Sequence, residues 1–115
     1  MSETSMQDQQ PENVPQYLYK IMSPEDWQSS KQNNQIVNSP YDKEFIHLAK
    51  EDQVQYVVQK FWNGKSYVIL KLNPKKFIGR LMYETNPGGS TKYFHLYDGT
   101  IPLDAVIETP KFHRQ

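Results

Sequence analysis

Between Phe45 and Gly64 the chain runs FIHLAKEDQVQYVVQKFWNG, and this stretch limits the choice of fold more than any other. Val54, Val57, Val58, Phe61 and Trp62 recur at i, i+3, i+4, i+7 and i+8, one apolar stripe at the helical period. All five are expected in the core. Gly64 follows the last of them, where a left-handed residue commonly ends a helix. Such a helix needs a surface to lie on, and Phe45–Leu48 before it has the make-up of a short strand. A helix laid on a sheet follows, with His47 at the junction. The helix start is weak: Ala49 stands where a capping side chain is expected, and Glu51 and Asp52 compensate in the first turn.

The remaining segments are mostly strands. Tyr17–Met22 alternates, with Tyr17, Tyr19 and Ile21 expected on the buried face and Leu18, Lys20 and Met22 on the other. Ser23-Pro24-Glu25-Asp26 starts a short polar helix, with Ser23 as cap, Pro24 at the first helical position and Trp27 as anchor. Ile36-Val37 suits a short edge strand, and residues 38–43 form a loop. Ser66–Leu72 is the best strand and is expected to be central. Asn73-Pro74 opens one helical turn pinned by Phe77 and Ile78 and ended by Gly79. Arg80–Glu84 is a strand running into the flexible Thr85–Thr91 segment. Lys92–Tyr97 alternates again, Asp98-Gly99 has hairpin chemistry, and Leu103–Thr109 closes the chain as a last strand. The expected fold class is α+β: one small sheet, mostly antiparallel or mixed, carrying one main amphipathic helix.

A chain of 115 residues holds one core and one domain, here residues 17–110. Residues 1–16 are polar and proline-containing and are expected to be a disordered tail; residues 111–115 are a polar end. Thirteen basic residues balance thirteen acidic ones, so no bulk field favours nucleic acid or an anionic membrane, and neither is expected as a partner. The absence of cysteine excludes disulfides and thiol chemistry. No apolar run is long enough to span a bilayer and no signal peptide is recognisable, so the cytoplasm is the expected location.

The order of these segments resembles a known family. Tyr19-Lys20-Ile21, Trp27, Phe45-Ile46-His47-Leu48, Gln53-Val54, Phe61, Glu84, Gly89, His95-Leu96-Tyr97 and Pro102-Leu103-Asp104-Ala105-Val106 are similar to the bacterial domains called domain of unknown function 952. The resemblance covers about residues 17–109. It implies a fold related to ADP-ribosyltransferases, built around a cleft between two small sheets, and it establishes no activity. Three departures stand out: Lys43-Glu44 where the family usually has Asp-Gly, Ala49 where it has Ser, and Phe94 where it has Pro. If that serine binds a ligand in relatives, the contact is absent here.

The candidate chemistry lies at strand ends. His47 and His95 are each followed by leucine; with the leucines in the core, both imidazoles project toward a cleft. Glu84 is the candidate catalytic carboxylate, placed to stabilise an oxocarbenium-like centre at a ribose, with His47 beside it. His95 and Tyr97 are assigned to ligand binding, Tyr97 by stacking, together with Arg80 and with Gly88-Gly89, whose backbone can approach phosphate. NAD or another nucleotide is the ligand this reading implies. A non-catalytic nucleotide or small-ligand module uses the same cleft, and in the plainest alternative the histidines serve only the fold. Two histidines and a carboxylate also suit a facial metal site, but no local spacing supports one and no metal is assigned.

Overall fold

The computed structural model of the chain describes residues 13–108 and 110–113. The expected tail therefore lies largely outside the described residues, although Val14 within it packs against the main core. Strand β1, Leu18–Met22, buries Leu18 and Met22 completely and Lys20 almost so. This reverses the expected facing. The Leu18, Lys20 and Met22 side lies in the main core, while Tyr19 and Ile21 turn toward a second, smaller core. Helix α1, Pro24–Asn33, starts as its cap chemistry predicts, the Asp26 N–H donating to Ser23 Oγ at 3.1 Å. Asn34, left-handed with φ 57°, ends it, and Trp27 anchors it on the core.

Ile36 is buried, but no strand forms there: its N–H donates to the Ile101 carbonyl at 2.8 Å, and only Gln35 makes an isolated bridge, to Pro102. Strand β2 is Ile46–Leu48. Ala49 pairs with Tyr19 instead of capping the helix, through reciprocal N–H to carbonyl bonds of 2.8 Å. A 3-10 turn, Glu51–Gln53, comes next, and the Gln53 side chain accepts from the Lys50 N–H at 2.9 Å. Helix α2, Val54–Phe61, covers β1 and β3 with Val54 and Val58, which join Ile21, Ala49 and Tyr67 in the second core. Phe61 departs from expectation: it is 39% exposed and turns toward Tyr41, while Trp62 beside it packs on the second core.

Strands β3 (Tyr67–Leu72), β4 (Ile78–Thr85), β5 (Lys92–Thr100) and β6 (Lys111–His113) complete the architecture. The strands form two antiparallel sheets rather than one, in the orders β1-β3-β6 and β2-β5-β4. β3 is central to the first, as its composition predicts. Asp98-Gly99 is not a hairpin turn but a bulge inside β5, two residues opposite Gly79, which stands between Ile78 and Arg80. Gly79, at φ 128°, and Gly99 face each other there so closely that a Cβ on either would meet backbone. Residues Leu103–Ala105 form a 3-10 turn where a last strand was expected, since Pro102 leads into it and Ala105 is buried. The closing strand is β6, paired to β3 within the supposed polar end. The main core lies between the sheets, with Leu70, Leu72, Phe94 and Leu96 at its centre. No helix among the described residues is long and apolar enough to cross a membrane.

Candidate functional site

Asp42 organises the site. It ends a turn in which its N–H donates to the Ser39 carbonyl at 2.9 Å. Its Oδ2 accepts from the Ser39 N–H at 3.0 Å and from Ser39 Oγ at 3.1 Å, and meets Lys20 Nζ at 2.7 Å. Oδ1 accepts from the His47 N–H at 3.0 Å and from His47 Nδ1 at 2.9 Å. The carboxylate is fully buried, and Lys20 is only 3% exposed. Burial alone would raise the Asp42 carboxyl, but the His47 hydrogen bond and the Lys20 ammonium outweigh it and hold the group far below the usual range. Lys20 Nζ also donates to the His47 carbonyl at 3.3 Å, so one buried ion pair fixes both ends of that residue.

Because Nδ1–H is committed to Asp42, a neutral His47 carries its lone pair on Nε2. No side chain among the described residues hydrogen-bonds that nitrogen. The ring is 35% exposed and lines a cleft of about 120 Å³ with Tyr19, Tyr41, Val57, Phe61, Trp62 and Tyr93 among its walls. Strand β2 delivers it there because Ile46 and Leu48 take the core side.

His95 sits directly opposite His47 in the β2/β5 register, and the two rings meet edge to face with centroids 5.4 Å apart. Their surroundings differ. His95 is fully buried, with the Phe45 ring stacked on it at 3.9 Å, and it does not line the cleft. Both imidazoles leave the sheet on the face opposite Phe94 and Leu96, as alternation predicts, but only His47 reaches the cleft, because Phe45 covers His95. Phe94 and Leu96 are buried beside His95, and Phe45 covers its other side. His95 Nδ1 lies 2.8 Å from Glu84 Oε2, and Nε2 lies 2.8 Å from Asn86 Oδ1. The Tyr97 hydroxyl donates to the same Glu84 oxygen.

These contacts set the charges. Tyr97 and then His95 stabilise the Glu84 carboxylate and lower it. Glu84 in turn pushes Tyr97 up to about 12. Burial lowers His95, only partly opposed by Glu84. The ring is thus held between two oxygens, Glu84 Oε2 at Nδ1 and Asn86 Oδ1 at Nε2; a ring protonated on both nitrogens donates to both, and a ring protonated on Nδ1 alone requires the Asn86 amide turned to present Nδ2. Asn86 also lines the cleft, so His95 acts on the cleft through the orientation of that amide.

Of the other expected residues, Arg80 stands at the outer end of the network, its guanidinium 4.9 Å above the Tyr97 ring and 3.6 Å from Asp98. Gly88 and Gly89 form the turn after Asn86, Gly89 N–H donating to the Asn86 carbonyl at 2.9 Å, and neither lines the cleft. His95, Glu84 and Tyr97 are thus joined in one hydrogen-bonded network beside His47, but of the four only His47 lines the cleft; Arg80 is peripheral, and the glycines are apart. Asp42, Lys20, Phe45 and Asn86 were not foreseen. A lysine in an otherwise apolar strand was the available signal for Lys20, and with it for a buried carboxylate partner. Among the described residues no three histidine, aspartate or glutamate side chains are gathered so as to hold a metal ion.

The model of the family described as "Protein of unknown function (DUF952)" matches residues 21–109. The chain belongs to this family. The DUF952 chain is also similar to solved structures of protein CC0527 from Caulobacter crescentus. A crystal structure of a double mutant of that protein aligns with a TM-score of 0.71 and 27% identity over 84% of each chain. The unmutated crystal structure gives 0.69 and 25% over the same shares, and the solution structure 0.66 and 26% over 82% of each. A search among curated proteins gave no match. Neither the DUF952 description nor the name of the Caulobacter protein specifies a reaction.

Proposed function

We propose that this DUF952 chain binds a small planar, nucleotide-like ligand in the cleft between its sheets. The supporting observation is the His47 imidazole, locked by buried Asp42 so that Nε2 opens onto a largely aromatic cleft. An oriented ring nitrogen beside apolar walls gives one directional bond and a stacking surface, the usual make-up of a small-ligand site. Asn86 adds a second polar group on the same wall. The volume of about 120 Å³ suits one ring system, since an apolar cavity of about 150 Å³ takes benzene. A whole nucleotide would leave its sugar outside.

One observation favours an NAD-handling, ADP-ribosyltransferase-like activity as a second reading. Glu84 is bonded through Oε2 alone and is 34% exposed, which leaves Oε1 for a ribose. In that reaction the ribose–nicotinamide bond breaks with its electron pair leaving on the ring nitrogen. Water or another nucleophile forms the new bond to the sugar carbon and releases its proton. The relation to that fold is implied by the sequence resemblance, and the reading remains an analogy.

The test is an NMR titration of the wild type and of His47→Ala with NAD, ADP-ribose, adenosine and nicotinamide, alongside an assay for nicotinamide release. Localised shifts at His47, Asn86 and Trp62 that His47→Ala abolishes are expected. Nicotinamide release that Glu84→Gln removes would add the catalytic reading. The absence of localised shifts with every ligand would overturn the binding reading.

A further inference from the structure

The aromatic cleft does not end at its own rim. Ser39, Tyr41 and Trp62 are walls shared with a broader groove of about 640 Å³ that opens toward the start of α1. Two lysines line this groove, Lys43 from the loop before β2 and Lys65 from the turn after α2. Both are exposed, and among the described residues neither ammonium has a carboxylate within salt-bridge distance. Lys65 extends over the Trp62 ring, with Nζ 5.9 Å from its centroid, so its charge lies beside the shared wall. The one carboxylate of the groove is Asp26. Two ammonium groups against one carboxylate leave the groove net positive in a chain whose formal charge is zero.

Resting on the reading of the cleft as a ring site, we infer that the ligand is phosphorylated: its ring fills the cleft, and its phosphate or pyrophosphate lies in the groove between Lys43 and Lys65. A cleft of about 120 Å³ suits one ring system, so the rest of a nucleotide must leave it. The shared walls make the groove a continuous exit. A lysine ammonium pairs with phosphate as a mobile point charge and needs no rigid fork.

The experiment compares adenosine, AMP, ADP-ribose and inorganic pyrophosphate on the full chain, by calorimetry and NMR, at low and high salt. The phosphorylated ligands are expected to bind about tenfold tighter than adenosine, the worth of one charge-assisted contact, and to lose that margin at high salt. The double variant Lys43→Gln, Lys65→Gln should remove the margin and leave adenosine unchanged; both positions are exposed, so folding is preserved. Equal affinity for adenosine and AMP, or a double variant that weakens both alike, would overturn the inference while leaving the ring site standing. Pyrophosphate shifts at Lys43 and Lys65 without any nucleoside binding would support the groove and sink the ring site. No binding by any of the four would overturn both.

Discussion

At the scale of residues, the chain concentrates its electrostatic risk in one place. Lys20 is all but inaccessible to water, and the Asp42 carboxylate that balances it accepts four hydrogen bonds besides. Removing one member of a buried pair costs far more than the pair contributes, because the remaining charge is left without compensation. Asp42→Asn is therefore expected to lower stability by about 3–5 kcal/mol in urea melts at neutral pH. A loss below about 1 kcal/mol would show that Lys20 finds another partner or reaches water. The same substitution also releases Nδ1 of His47, so the NMR tautomer signature of that ring should change. Part of this was legible: the sequence isolated His47 and His95, and their pairing across two strands is what β alternation and order allow. The ion pair beneath them is hidden because a lysine in a strand ordinarily faces water. Charge is a sound guide to exposure only where no buried counter-ion waits in a distant loop.

Among the elements, α2 shows what periodicity can and cannot tell. The spacing from Val54 to Trp62 located the helix and its inward side, and Val54 and Val58 are buried as that spacing requires. It does not reveal that one side of the stripe faces a cleft: Phe61 lines it and meets Tyr41 with ring centroids 6.1 Å apart. Phe61→Ala should accordingly cost about 1 kcal/mol or less, while Phe94→Ala, at the centre of the core, should cost about 3–5 kcal/mol. Denaturant midpoints of the two variants, measured side by side, check this; equal losses would mean that Phe61 is packed after all. The misread ends have a common cause. Asp98-Gly99 has turn chemistry but is held in a bulge by Gly79 on the neighbouring strand, and Leu103–Ala105 looks extended until Pro102 and the buried Ala105 bend it. In the first case a partner remote in sequence decides the local shape, and in the second the preceding proline and the burial of Ala105 do.

On the scale of the whole molecule, the titratable groups of the site act in one direction in acid. Asp42, Glu84 and His95 are all lowered in the folded state, from ordinary values of 3.8, 4.5 and 6.5. Below those values the unfolded chain binds protons that the folded chain refuses, so stability is complete above about pH 6.5 and falls on acidification. His95 begins the loss, Glu84 adds to it below 4.5 and Asp42 below 3.8. Tyr97 acts oppositely: its value is raised from 10.0 to about 12, so its contribution is present below pH 10 and disappears between the two. Melting temperatures taken across pH 4–11 should form a plateau near neutrality, with an acid shoulder that His95→Gln diminishes. A shoulder unchanged in that variant would remove His95 from the account. The two-sheet plan was implied by the family resemblance and not by strand spacing, since β1 and β2 each pair with a strand far along the chain. That pairing also has a consequence for synthesis. On the ribosome Lys20, Asp42 and His47 all emerge before β5, and β2 has no strand to join until residues 94–96 follow. The β4/β5 hairpin, which holds Glu84, Asn86, His95 and Tyr97, leaves the tunnel after them, so the nascent protein carries the Lys20, Asp42 and His47 cluster before it has the strand that closes against it.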